Sequence, residues 1–252
     1  MTMPVSIDSG GIALAAHVAR PAAPKGAPLG LVLCHGFPAG PRRAAGSGRT
    51  YPELAERLAE DTGWTVLAFN LRGTGSSGGD FSLAGWIDDL RAAVDHLHTV
   101  EAVSGTWTAG SGTGGAVAIC EAAEDARVRG VASLAAPADF DSWTSDPADL
   151  VGQCRRIGVI RDPTFPTDLE AWARELREIR PLAAAGKVPP RPFLILHGTH
   201  DTVVPVQDAR AIADAAHGEV ELRVLGEAGH RLRHDPRAVA LLMGWMERQG
   251  VD

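Results

Sequence analysis

Apolar positions along the chain switch repeatedly between two periods. Leu31-Val32-Leu33-Cys34, Trp64 to Phe69, Val128 to Leu134 and Arg191 to Leu196 are short, mostly apolar runs, as expected of strands buried on both faces of a parallel sheet. Between them the spacing becomes helical: Tyr51 to Thr62 is amphipathic and closed by Gly63, and Phe81 to Val100 carries Trp86, Leu90, Val94 and Leu97 on one face. Thr106-Trp107-Thr108 leads into the helical run Ala116 to Ala122. Val206–Ala216 and Asp235–Arg248 are further helices on either side of a last strand, Val220–Leu225. At the start, Val5 to Ile7 and Ile12 to Val18 alternate around Gly10-Gly11, which predicts a hairpin.

Strands alternating with helices predict an α/β protein, a doubly wound, mostly parallel sheet of about eight strands flanked by helices. The alternation breaks between about 139 and 190. Two helix-like pieces there, Pro147–Ile157 and Asp168–Ile179, are joined by proline-rich turns. This stretch reads as a short helical lid inserted in a single domain spanning residues 1–252.

Composition narrows the setting. The 252 residues are 45% hydrophobic and 22% charged with a formal net charge of −7, which describes a soluble globular chain long enough to bury a large core. The acidic balance argues against nucleic acid and anionic membrane surfaces as partners. No apolar run reaches the roughly 18 residues of a membrane span, and the start MTMPVSIDSGG has no secretory pattern. Cys34, Cys120 and Cys154 have no metal-like spacing and read as reduced core thiols. A cytoplasmic location is expected, with a small-molecule substrate or ligand and no metal or cofactor. Composition says nothing about oligomeric state.

The chemistry concentrates where the Thr106–Thr108 strand turns into a helix through Ala109-Gly110-Ser111-Gly112-Thr113-Gly114-Gly115. A strand passing directly into a helix through glycines is the geometry of a nucleophile elbow, G-x-S-x-G, in which one side chain is thrust out on a strained turn. The register matching both flanks runs from Gly110 to Gly114. It places Gly112 at the apex and Ser111 one position early.

With four further motifs, the chain resembles the α/β-hydrolase fold superfamily over nearly its whole length. His35-Gly36-Phe37 resembles that family's oxyanion loop, and Arg72-Gly73-x-Gly75-x-Ser77 the loop after its fourth strand. His197-Gly198-x-x-Asp201-x-x-Val204-Pro205 resembles the segment supplying its acid, and Gly229-His230 the segment supplying its histidine. The order nucleophile, acid, histidine is also the family's. The resemblance implies Asp201 and His230 as an acid–histidine pair, backbone N–H groups of Phe37 and Thr113 as oxyanion donors, and a cavity roofed by residues from about 140 to 180. It also implies that His35 and His197 brace loops.

Competing assignments stay in view. Asp139 and Asp141 offer an alternative acid, and Arg231 and Arg233 beside His230 an anchor for an acidic substrate. Gly110-x-Gly112-x-x-Gly115 and Gly73-x-Gly75-x-x-Gly78 both match a dinucleotide fingerprint, but that fingerprint opens the first βαβ unit and needs a well-placed acid. Three functions follow from glycine at position 112. One is general-base chemistry by Asp201–His230 on a small carbonyl-containing molecule. The others are an ordinary serine hydrolase using Ser111 and a non-catalytic ligand- or partner-binding protein.

Overall fold

Two glycines set the first turn. The computed structural model describes residues 2–23, 26–40, 42–217 and 220–249. In it β1 (Thr2–Ser9) and β2 (Ile12–Ala19) form an antiparallel hairpin with Ser9 opposite Ile12. Gly10 and Gly11 have φ of 61° and 85°, the paired positive values that a two-residue turn between twisted strands requires. Residues 24–25 and 41, within two expected connections, lie outside the described residues.

The remaining strands are β3 (Leu29–Cys34), β4 (Thr65–Phe69), β5 (Gly105–Ser111), β6 (Val128–Leu134), β7 (Phe193–Gly198) and β8 (Glu221–Leu225). They form one eight-stranded sheet in the order β1-β2-β4-β3-β5-β6-β7-β8, parallel from β4 through β8. Because successive strand side chains point to opposite faces, β3 feeds two cores at once. Val32 and Cys34 join the cluster under α2 (Leu83–Thr99), α3 (Thr113–Glu124) and α8 (Val206–Ala215), whereas Leu31 and Leu33 join that under α1 (Tyr51–Thr62) and α9 (Pro236–Gln249). Trp86, Leu90, Val94 and Leu97, the helical stripe of α2, are all fully buried.

The segment after β6 carries α4 (Asp141–Thr144), α5 (Pro147–Ile157), α6 (Leu169–Glu178) and α7 (Pro181–Ala185). It does two different jobs. Residues 139–157 stand over the carboxyl ends of β5 and β6 and line a cavity there. The stretch from Val159 through α6 instead braces the loop after β4: Phe81 N–H donates to the Val159 carbonyl at 2.9 Å, Trp172 Nε1 to the Phe81 carbonyl at 3.0 Å, and Ser82 Oγ to Glu175 at 2.9 Å. The roof is therefore shorter than the 140–180 expected, because α6 packs its apolar face on Phe81. Among the described residues no helix is long and apolar enough to cross a membrane.

Candidate functional site

The carboxyl ends of the parallel strands place four loops side by side. Between β5 and α3, Gly112 has φ 55° and ψ −127°, in a region that L-residues seldom enter and that is stored as strain where it occurs. Its N–H donates to the Leu134 carbonyl at 2.8 Å and its carbonyl accepts from Gly115 at 2.9 Å, so the turn is held from both sides. Close packing explains the flanking glycines. A Cβ on Gly110 would run into the Gly114 carbonyl, one on Gly114 into the His35 carbonyl, and one on Gly36 would lie 2.6 Å from the Ser111 carbonyl. The five-residue register Gly110 to Gly114 is thus set by backbone contact.

A Cβ built on Gly112 would lie 3.3 Å from His230 Nε2, with no backbone atom closer than 3.9 Å. Position 112 therefore points at the imidazole. Ser111 does not share that space. Its side chain lines a narrow gap behind the turn with Tyr51, Leu54 and Arg233, on the α1 side of the sheet. There the buried Tyr51 phenol is pushed up by loss of hydration, partly opposed by the neighbouring Ser111 hydroxyl and Arg233.

His230 follows β8, and its Nδ1 lies 2.9 Å from Asp201 Oδ2. A carboxylate can only accept, so Nδ1 carries the proton and the Nε2 lone pair faces Gly112. The Asp201 side chain is fully buried. Its Oδ1 accepts the N–H groups of Val203 and Val204 at 2.8 and 2.9 Å, a tight turn that aims Oδ2 outward from the end of β7. His197 Nε2, 3.0 Å from the Val204 carbonyl and 3.3 Å from Asp201 Oδ2, donates between these two acceptors. His35 is likewise structural. Its Nε2 accepts the Leu71 N–H at 3.2 Å and its Nδ1 donates to the Gly36 carbonyl at 2.9 Å. Burial pushes this imidazole down to about 4, against the raising effect of the Gly36 bond and with a smaller lowering by Arg233.

The cavity over the turn measures about 580 Å³ and is lined by Phe37, Gly112, Thr113, His230 and the 139–157 segment, among others. Neither the Phe37 nor the Thr113 backbone N–H donates to a described residue. Both are thus free to meet a ligand oxygen. Neither alternative acid pairs with His230: Asp139 lines the cavity but is exposed and accepts from Asp141 N–H at 2.9 Å, and Asp141 pairs with Arg180 at 2.8 Å. Arg233 lies over the Tyr51 ring at 5.4 Å and Arg231 lines a separate depression near Pro236, so neither faces the cavity.

The dinucleotide-like glycines have packing explanations. A Cβ on Gly73 would strike the Val159 carbonyl and one on Gly75 the Asn70 amide. No group of three or more His, Cys, Asp or Glu residues suited to a metal occurs among the described residues. Sequence reasoning missed Asp208 as part of the cavity wall, whereas Phe140 and Trp143 fall within the expected roof. Nothing local marks Asp208, in the first turn of α8 after β7; its contact with the Ala138 N–H at 3.0 Å forms only when α8 packs beside the loop after β6.

Comparison with known proteins agrees with this architecture. Est1E from Butyrivibrio proteoclasticus, in its structure with ferulic acid bound, is 22% identical with a TM-score of 0.72, covering 97% of each chain. The Pyrococcus furiosus esterase Pf2001 is 20% identical with a TM-score of 0.71, over 98% of this chain and 91% of that one. XC6422 from Xanthomonas campestris, described as an α/β serine hydrolase without a lid, is 19% identical with a TM-score of 0.64, over 98% of this chain and 92% of that one. At these identities the likeness concerns the fold. No curated protein matches the chain. The profile described as "Alpha/beta hydrolase family" matches residues 31–241, and the chain belongs to that family.

Proposed function

We propose that this protein hydrolyses a small carbonyl compound by general-base chemistry, without an acyl-enzyme intermediate. The observation carrying this reading is the direction of position 112. The place where a nucleophilic hydroxyl would stand, beside His230 Nε2, is left open by Gly112, while the Ser111 side chain lies on the other side of the turn. In this mechanism a water molecule occupies that opening. His230 Nε2 takes a proton from it as its oxygen bonds to the carbonyl carbon, and the carbonyl π electrons move onto the oxygen. The Phe37 and Thr113 N–H groups stabilise that oxyanion. Collapse of the tetrahedral species breaks the bond to the leaving group, which receives the proton back from His230. Asp201 holds the ring in one tautomer and stabilises the imidazolium between these steps.

Backbone donors do not depend on the apex side chain, which supports an oxyanion site that persists with glycine there. The description of the structural neighbour Pf2001 as an esterase supports ester-like carbonyl substrates, and the three unpaired cysteines, all buried, support a reducing, cytoplasmic setting. Incubation with p-nitrophenyl acetate followed by intact-mass measurement tests the proposal. The expected result is nitrophenol release that requires His230, with no acetyl adduct at any time. An adduct that maps to Ser111 and vanishes in Ser111→Ala would overturn it in favour of a serine nucleophile. Absence of His230-dependent turnover across an ester, thioester and amide panel would point to a binding protein.

A further inference from the structure

The charge of the cavity wall adds a substrate class to this reading, on which it rests. Asp139, Asp146, Asp149 and Asp208 all line the cavity, and no lysine or arginine does among the described residues; Asp149 lies 3.8 Å from Arg156. Each of the other three carboxylates has one oxygen engaged by a backbone N–H: Asp141 on Asp139 at 2.9 Å, Asp149 on Asp146 at 2.9 Å, and Ala138 on Asp208 at 3.0 Å. None of the three has an ion-pair partner among the described residues. The arginines that could have served an anionic substrate, Arg231 and Arg233, are directed elsewhere.

Two independent features of the same cavity point to a ligand. Phe37, Phe140 and Trp143 line it as a cluster of rings, with Trp143 4.9 Å from Phe37 and 5.3 Å from Phe140 between centroids. Aromatic faces together with carboxylates suit a cation that is poorly hydrated. Thr113, only 6% exposed, lines the cavity and its hydroxyl has no hydrogen-bond partner among the described residues. The hydroxyl opens on the cavity, where a ligand can hydrogen-bond to it.

We infer that the cavity takes a carbonyl compound bearing an ammonium group, quaternary or primary. Its cation sits among Phe140, Trp143 and the carboxylates of Asp146 and Asp208, and its carbonyl lies at Gly112. An anionic substrate would bring like charge against three unpaired carboxylates. A neutral one would leave them without an attractive partner.

The test uses binding, so that it stands apart from catalysis. Choline and its uncharged isostere 3,3-dimethylbutanol are titrated against the full-length protein, followed by ligand-observed NMR at low salt. Choline is expected to bind at least about tenfold more tightly. The double variant Asp146→Asn/Asp208→Asn keeps both backbone hydrogen bonds, since an amide oxygen also accepts, and should reduce the ratio to about one. Asp149→Asn, whose carboxylate already lies 3.8 Å from Arg156, should change the ratio least. His230→Ala should retain the preference for choline. Equal or tighter binding of 3,3-dimethylbutanol, or an undiminished choline preference in the folded double variant, would overturn the inference. A choline preference without any His230-dependent turnover would leave the substrate class standing and remove the general-base reading instead.

Discussion

Replacing Gly112 by serine, with alanine as control, separates the readings most sharply. Both substitutions place a Cβ 3.3 Å from His230 Nε2, a contact that the ring must ease by a few tenths of an ångström. Both also force an L-residue to φ 55° and ψ −127°, which costs about 1–3 kcal/mol. Serine recovers part of that cost through a hydrogen bond from Oγ to Nε2, a gain of about 1 kcal/mol. The net loss for Gly112→Ser is then about 0–2 kcal/mol, or up to roughly 8 °C in melting temperature for a chain of this size. Gly112→Ala should melt lower still by a few degrees. The chemistry should divide the other way. Wild type should not react with a fluorophosphonate probe, and neither should Gly112→Ala. Gly112→Ser should be labelled at residue 112, because its hydroxyl then sits beside an imidazole lone pair and two free backbone donors. In Gly112→Ala the methyl occupies the opening assigned to water, so wild-type turnover should drop by about 100-fold, the scale of a lost general-base step. Fluorescent gel labelling, peptide mapping and thermal unfolding measure all of this on the same samples. Wild-type labelling that disappears in Ser111→Ala, or a folded Gly112→Ala with undiminished turnover, would refute the reasoning.

Three further outcomes follow from other contacts. His230→Ala should reduce turnover by about 100-fold or more, and Asp201→Asn should also slow it strongly, with little change in melting temperature for the half-buried histidine; full activity in His230→Ala would move the chemistry elsewhere. His35, pushed down to about 4 from 6.5 by burial, contributes stability that is complete above pH 6.5 and is lost as the unfolded chain takes up a proton between pH 6.5 and 4, about 3 kcal/mol in all. Glu121, raised to about 7 by burial and partly pulled back down by Arg91, acts with the opposite sign over an overlapping window. The readout is therefore the stability difference between wild type and His35→Gln, which should shrink as pH falls from 7 to 4 in urea titrations. Asp89→Ala leaves the partly buried Arg72 guanidinium without the carboxylate that now accepts from its Nε and Nη2 at 3.0 and 2.7 Å; a loss of about 3–5 kcal/mol is expected in the same assay.

Much of the architecture was legible in the chain itself. The Leu31–Cys34 run, the α2 stripe of Trp86, Leu90, Val94 and Leu97, and Gly63 closing Tyr51–Thr62 are local signals, because burial on two faces, burial on one face and a left-handed cap each constrain residues close in sequence. The pairs that make the cavity are long-range. Asp201 and His230 belong to separate strand ends, and only the parallel order of β7 beside β8 brings their atoms to 2.9 Å. That Ser111 turns toward Tyr51 while position 112 faces His230 depends on a single unusual φ,ψ pair held by contacts to Leu134 and Gly36. The split of the 139–190 insertion into a cavity wall and a brace for Phe81 was likewise invisible, since both halves carry the same amphipathic helical spacing. Periodicity specifies that a face is buried; which surface buries it, and which carboxylates are left facing the cavity, is decided only when the whole sheet has assembled.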